Sequence, residues 1–245
     1  MRIKAIRTRA FLPPKDDLLE LLLAIKSLPE NSVVAVTSKI VSIGEGRCIP
    51  VSEIDKDKLI QKEADRYLSR LDVPDSLVIH TIKNNMLIPS AGIDESNGNN
   101  YFILWPNHPQ KSAKIICQYL RKKYRLKNLG VIITDSRLTP MRQGVVGYAI
   151  GYFGFNPIKD YRGKKDIFGK EFIMETSNIP DSLASVAVLE MGEGSERKPI
   201  AIITEIPDIE FTDKEYSINI DEKIDIFYPF LSGVNWKKGG SGKTR

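Results

Sequence analysis

Short apolar runs alternate along the chain with amphipathic segments, and the two spacings separate most of its elements. SVVAVTSKIVS (32–42) reads as a buried strand running into the turn IGEGR. LGVIITD (129–135) has the unbroken apolar character of a strand at the centre of a sheet. PIAIITEI (199–206), YFILWP (101–106) and residues 1–9 are further strands, and LVIHTIKNNMLIPSAG (77–92) leans to strand before breaking at GIDESNGNN. Helical spacing covers DDLLELLLAIKSL (16–28), with acids in its first turn, LIQKEADRYLSR (59–70) and KSAKIICQYLRKKY (111–124). A fourth helix, IPDSLASVAVLEMGEG (179–194), ends in a glycine-rich loop. Four glycines in GVVGYAIGYFG (144–154) fit either a close-packed helix or bends and tight backbone contacts. Strands and helices alternate without a repeated βαβ period, which predicts an α+β fold of mixed sheets with flanking helices. Residues 1–225 are expected to form one unit, either undivided or built of two intertwined subdomains. The pattern fades beyond, and 226–245 read as a flexible tail.

Composition narrows the class. Of 245 residues, 42% are hydrophobic, enough for a sizeable core. Lys+Arg 36 against Asp+Glu 31 gives a net charge of +5, and the one dense basic run, RKKYRLK (121–127), sits where a helix end favours cations. A small anionic substrate fits that mild excess better than nucleic acid does. Cys48 and Cys117 are far apart and show no ligand spacing, which points away from zinc or a disulfide framework and toward the reducing cytoplasm. No window suggests a membrane span or a signal peptide. GGSGKTR (239–245) looks like a phosphate loop, but Lys237 stands where its first glycine is needed and no helix follows.

Polar chemistry gathers where apolar runs stop: TSKIVSIGEGR (37–47), SAGIDESNG (90–98), IITDSRLTPMRQG (132–144) and EMGEGSERKP (190–199). Hard divalent cations take carboxylate and hydroxyl oxygens, and Mg²⁺ uses one or two carboxylates plus substrate phosphates. Asp94, Asp135, Ser136 and Glu193 supply such a set, and the adjacent glycines let backbone N–H groups approach phosphate. Each has a plainer reading. Asp94 is an ordinary turn former, Glu193 a solvated loop acid, and Glu45 and Arg47 a local ion pair. Asp135 is the strongest of them, because open sheets bind ligands at the carboxyl ends of strands. His80 and His108 read as structural. Trp105 reads as a core residue, or as a platform for a planar substrate.

These motifs, together with RQGVVGYAIG, DYRGKKDIFGKEF and DSLASVAVLEMGEG, resemble the coenzyme F420-0:L-glutamate ligase family over roughly residues 1–210. The resemblance implies GTP- and divalent-metal-dependent attachment of glutamate through a γ-linkage, in a cytoplasmic homodimer. It places metal ligands at Asp94, Asp135, Ser136 and Glu193. It places nucleotide contacts at Leu12–Pro13, Ser38, Asn97 and the loop of Met191, Gly192 and Gly194. Ile43 stands where the family has a lysine, and Lys39 is near enough to substitute, leaving GTP or ATP open. Arg142, Arg162 and Lys165 are expected to grip the acceptor or the incoming glutamate. The LWP and DSR motifs resemble a folate-associated branch, so tetrahydrofolate is the expected acceptor, with Mg²⁺ or Mn²⁺ as the metal. The alternatives are the deazaflavin ligase itself or a nucleotide- or cofactor-binding protein without transfer chemistry.

Overall fold

The computed structural model describes residues 1–242. In chain order the first half runs β1 (Arg2–Ile6), α1 (Leu18–Leu22), β2 (Ser32–Thr37), α2 (Ser38–Gly44), β3 (Cys48–Pro50), α3 (Lys56–Glu63), β4 (Arg66–Tyr67), β5 (His80–Lys83), β6 (Met86–Pro89) and β7 (Tyr101–Ile103). The second half adds α4 (Pro109–Tyr124), β8 (Leu129–Leu138), β9 (Val145–Phe153), β10 (Ile158–Asp160), β11 (Thr176–Asn178), α5 (Ile179–Met191), β12 (Ile200–Thr204), α6 (Tyr228–Ser232) and β13 (Lys237–Lys238). The class is α+β, with several sheets flanked by helices. Among the described residues no helix is long and apolar enough to cross a membrane.

The central sheet has the order β1-β12-β2-β8-β9, antiparallel throughout except for the parallel β2–β8 pair. Alternation along β2 divides its side chains between two layers. Val34 and Val36 join α4 residues Ala113, Ile116 and Leu120, while Val33 and Ala35 join Leu183, Ala184 and Ala187 of α5. Both faces are therefore covered, which is why these strands read as continuous apolar runs rather than alternating ones. A third cluster, around Leu59, Ile60, Ile79 and Phe102, lies with the smaller sheet β13-β4-β5-β6.

Residues 144–154 are strand rather than helix. The β8–β9 register shifts so that Ile133 pairs with Gly151 and Thr134 with Ala149, leaving Ile150 as a bulge. The bulge turns Gly147 toward α5 and Gly151 toward α4. A Cβ on Gly147 would lie 2.6 Å from Ala184 O, and one on Gly151 would lie 2.5 Å from Pro109 O. The glycines serve close helix-on-strand packing, the second of the two sequence readings.

Other boundaries moved for local reasons. The expected strand 32–42 stops at Thr37, and Ser38–Gly44 is helical, burying Ile40, Val41 and Ile43. A run of β-branched residues conceals that switch of period. The expected helix at 16–28 is regular only over Leu18–Leu22, capped by Asp17, whose carboxylate accepts from the N–H groups of Leu19 and Glu20. The 59–70 helix starts and ends earlier, at Lys56–Glu63. The 77–92 stretch is a hairpin whose turn residues, Asn84 and Asn85, both have positive φ, as a tight primed turn requires.

Residues 226–242, read from the sequence as a tail, carry α6 and β13, and β13 pairs with β4. Beyond it, Gly239 N–H donates to Asp65 O at 2.9 Å, Gly240 N–H to Gln61 O at 3.0 Å and Gly242 N–H to Lys62 O at 2.9 Å. The phosphate-loop look-alike thus supplies donors to carbonyls at the end of α3, groups a helix terminus leaves without partners. Lys243, Thr244 and Arg245, the rest of that stretch, lie outside the described residues.

Candidate active site

β2 and β8 run parallel, and their last pair is Thr37 with Thr134. There β2 turns into α2 while β8 continues to Leu138, so Asp135 and Ser136 emerge beside a strand end with no neighbour on that side. A cleft of ≈ 690 Å³ opens at this point, walled by the β1–α1 loop, the start of α2, the 92–99 loop, the end of β8 and the loop after α5. Its placement follows the general rule for ligand crevices at the carboxyl ends of parallel strands.

Asp94 is anchored through its backbone, which exchanges hydrogen bonds with Ile103 at 2.9 and 2.8 Å. Its Oδ1 accepts the Ser96 N–H at 2.7 Å, and its Oδ2 faces the Lys39 ammonium, also at 2.7 Å. Lys39 donates as well to Ser96 O at 2.7 Å. Burial opposes ionisation of Asp94, but Lys39 and the Ser96 donors outweigh it and hold the carboxyl below its ordinary value.

Asp135 is treated differently. Its Oδ1 accepts the Ser136 N–H at 2.8 Å, and its Oδ2 accepts the indole N–H of Trp105. Among the described residues no cation forms an ion pair with it. Burial pushes its carboxyl up to about 6, and the Asp94 charge adds to that rise against the opposing N–H donors and Lys39. Ser136 donates from Oγ to Glu193 Oε1 at 2.6 Å, joining β8 to the loop after α5. The Asn97 side-chain amide donates to Gly194 O at 3.2 Å, joining that loop to the 92–99 loop.

Asp94, Asp135, Ser136 and Glu193, expected from the sequence as metal ligands, all line the cleft. Ser136 and Glu193 are hydrogen-bonded to each other, Asp94 is paired with Lys39, and Asp135 is held by the Ser136 N–H and the Trp105 indole. Among the described residues no three acidic, histidine or cysteine side chains converge as a ready-made metal cage. Leu12, Pro13, Ser38, Lys39, Asn97, Met191, Gly192 and Gly194, the expected nucleotide contacts, also line the cleft. Gly192 is required there: its φ is +83°, and a Cβ would collide with the Glu196 carboxylate.

The three expected substrate grips are not on the cleft wall. Arg142 sits in the exposed β8–β9 turn, where its N–H donates to Thr139 O at 3.2 Å. Arg162 is taken up by Asp160, with Nε 2.9 Å from Oδ1, and the backbone of Lys165 forms an isolated β-bridge with Glu171. Three other cations, Arg9, Arg197 and Lys198, line the cleft instead. In the sequence Arg197 and Lys198 stand in SERKP, directly after the MGEG loop, and Arg9 stands in RTRAF near the start of the chain. Glu45 and Arg47 do not pair with each other. Glu45 accepts from Asn107 N–H and Ser112 Oγ at the start of α4, and Arg47 turns to Glu63.

A family model described as F420-0:Gamma-glutamyl ligase matches residues 6–205. The coenzyme F420:L-glutamate ligase of Methanopyrus kandleri is 34% identical over 217 residues, covering 82% of this chain and 86% of its own length. Its counterpart in Methanocaldococcus jannaschii is 32% identical over 196 residues, with 74% and 78% covered. The Archaeoglobus fulgidus protein of the same name is 31% identical over 206 residues, with 77% and 81% covered. These relatives overturn the expectation of a tetrahydrofolate acceptor, since they are named for coenzyme F420. The LWP motif that prompted the folate expectation has a different use here: Trp105 is 1% exposed and its indole is committed to Asp135.

Proposed function

The chain belongs to the F420-0:gamma-glutamyl ligase family, and on that premise we propose that it joins L-glutamate through a γ-glutamyl amide to a deazaflavin acceptor, using a nucleoside triphosphate. The observation carrying this reading is the half-buried Asp135 carboxylate, which has no ion-pair partner among the described residues, in a cleft that also holds Asp94, Ser136 and Glu193. Burying an ionised carboxylate without countercharge is costly, so the arrangement suits a cation brought in with a substrate. Hard oxygen donors in that number fit Mg²⁺ or Mn²⁺ completed by phosphate oxygens.

Chemically, the acceptor's terminal carboxylate attacks the γ-phosphorus, and the nucleoside diphosphate leaves. The glutamate amine then adds to the acyl carbon, loses a proton and expels inorganic phosphate. A divalent ion held by Asp94, Asp135, Ser136 and Glu193 would neutralise charge developing on the phosphates. Arg197 and Lys198 supply positive charge along the same wall, as an anionic substrate requires, whereas Arg9 is paired with Asp16 and Glu20. Leu12 and Pro13, Ser38 and the Gly192–Gly194 loop shape the nucleotide side, and Asn97 ties that loop to the acidic one.

Mass spectrometry tests the proposal: the deazaflavin acceptor and L-glutamate are incubated with GTP or ATP and with Mg²⁺ or Mn²⁺. The expected product is the acceptor heavier by one glutamyl residue, with stoichiometric phosphate release. Folded protein that gives no such product under any of the four combinations would overturn it.

A further inference from the structure

Trp105 is among the most deeply buried large side chains in the molecule, yet its one polar atom points at the cleft and donates to Asp135 Oδ2. The ring has little freedom. A Cβ on Gly92 would collide with its Nε1, so the backbone of the 90–92 turn lies directly against the indole. The Tyr148 ring packs near it, with centroids 6.5 Å apart.

Its backbone is held from below. Arg47 Nε donates to Trp105 O at 3.1 Å, and Leu104 N–H donates to Arg47 O at 3.0 Å. Arg47 in turn reaches Glu63 at 2.9 Å, and Glu63 also binds Lys83 at 2.7 Å. A continuous series of contacts therefore runs from a buried charge cluster through Trp105 to the Asp135 carboxylate.

We propose that Trp105 is a positioning residue, whose indole N–H fixes the Asp135 carboxylate in the orientation needed to bind a divalent cation in the cleft. This rests on the metal-binding reading of Asp135 given above. An indole N–H donates and cannot accept, so it matches the acceptor-only, ionised carboxylate. It also occupies one direction on Oδ2, which restricts how a cation approaches that oxygen. Partners that orient metal ligands in this way are worth roughly 10–100-fold in metal affinity.

Mn²⁺ binding, followed by loss of the free-ion electron paramagnetic resonance signal, tests this without recourse to turnover. Wild type, Trp105→Phe and Asp135→Asn are compared after circular dichroism confirms folding. The expected result is roughly 10–100-fold weaker binding by Trp105→Phe and still weaker binding by Asp135→Asn. Wild-type affinity in Trp105→Phe, with loss in Asp135→Asn, overturns the positioning role and leaves the metal reading standing. Unchanged binding in Asp135→Asn removes the metal reading and this inference with it.

A second measurement keeps Trp105 in place, in case Trp105→Phe fails to fold. Trp236→Phe leaves Trp105 as the sole tryptophan of the chain. Saturable quenching of its emission by Mn²⁺, abolished by Asp135→Asn, is expected. Emission unchanged through Mn²⁺ saturation overturns the proposal.

Discussion

Glu63 and Asp135 are both carboxylates withdrawn from water, and they are surrounded in opposite ways. Glu63 is 4% exposed and touches two cations, Lys83 at 2.7 Å and Arg47 at 2.9 Å. Burial works against its ionisation, but those two charges prevail and hold it below its ordinary value. Among the described residues Asp135 has N–H dipoles and no ion pair, and burial drives it the other way, up to about 6. One cluster is electrically complete within the chain. The other, on the proposed reading, is completed by a cation that arrives with substrate, which would distinguish a binding site from a structural ion cluster although the residue types overlap.

Replacing each carboxylate separates the two roles. Asp135→Asn keeps the shape but, with a single acceptor oxygen, only one of the two N–H contacts, and it is expected to cut turnover about thousandfold, equivalent to about 4 kcal/mol in the barrier. Its urea midpoint should stay close to that of wild type, since removal of an uncompensated charge offsets the lost contact. A variant that turns over normally, or that loses its fold, breaks the distinction.

Glu63→Ala leaves Lys83 and Arg47 uncompensated in the interior and should cost about 3–5 kcal/mol of stability in urea unfolding. The pH dependence carries the same signature. Because the folded-state pKa of Glu63 lies below its ordinary value of 4.5, its contribution is fully present above that pH. It is lost as the pH falls through the lower, folded value. Wild type should therefore lose stability on acidification in that range, and Glu63→Gln should show a shallower loss in urea titrations from pH 7 to 3.5.

Ser42 provides the smallest and neutral version of the comparison. Its Oγ is buried and has no hydrogen-bond partner among the described residues. Ser42→Ala should raise stability by about 1 kcal/mol, read as a shift of the unfolding midpoint, because a desolvated hydroxyl is removed without breaking any contact. An unchanged or lowered midpoint would show that the hydroxyl has a partner in solution.

Much of the scaffold was legible along the chain. Strands such as 129–135 and 199–206 and helices such as 111–124 and 179–194 are long, apolar and strongly periodic, so local spacing was sufficient. The stretch 38–44 was misread because Ile40, Val41 and Ile43 serve a helix face as well as they serve a strand. Glycines 147 and 151 were ambiguous because their role depends on what approaches them, and that is the backbone of α5 and α4. Gly239 and Gly240 likewise have meaning only against the end of α3.

In the cleft, residue type and placement at the ends of apolar runs were enough to single out Asp94, Asp135, Ser136 and Glu193. Hard oxygen donors beside glycine advertise their chemistry locally. The sequence by itself determined the most apolar strands, the principal helices and the acidic inventory, because periodicity and side-chain chemistry are properties of neighbouring residues. Only the tertiary structure decided which acids are compensated: Glu63 meets Lys83 and Arg47, Asp94 meets Lys39, and Asp135 meets the indole of Trp105. Compensation depends on distance and burial, and both are set by segments from distant parts of the chain.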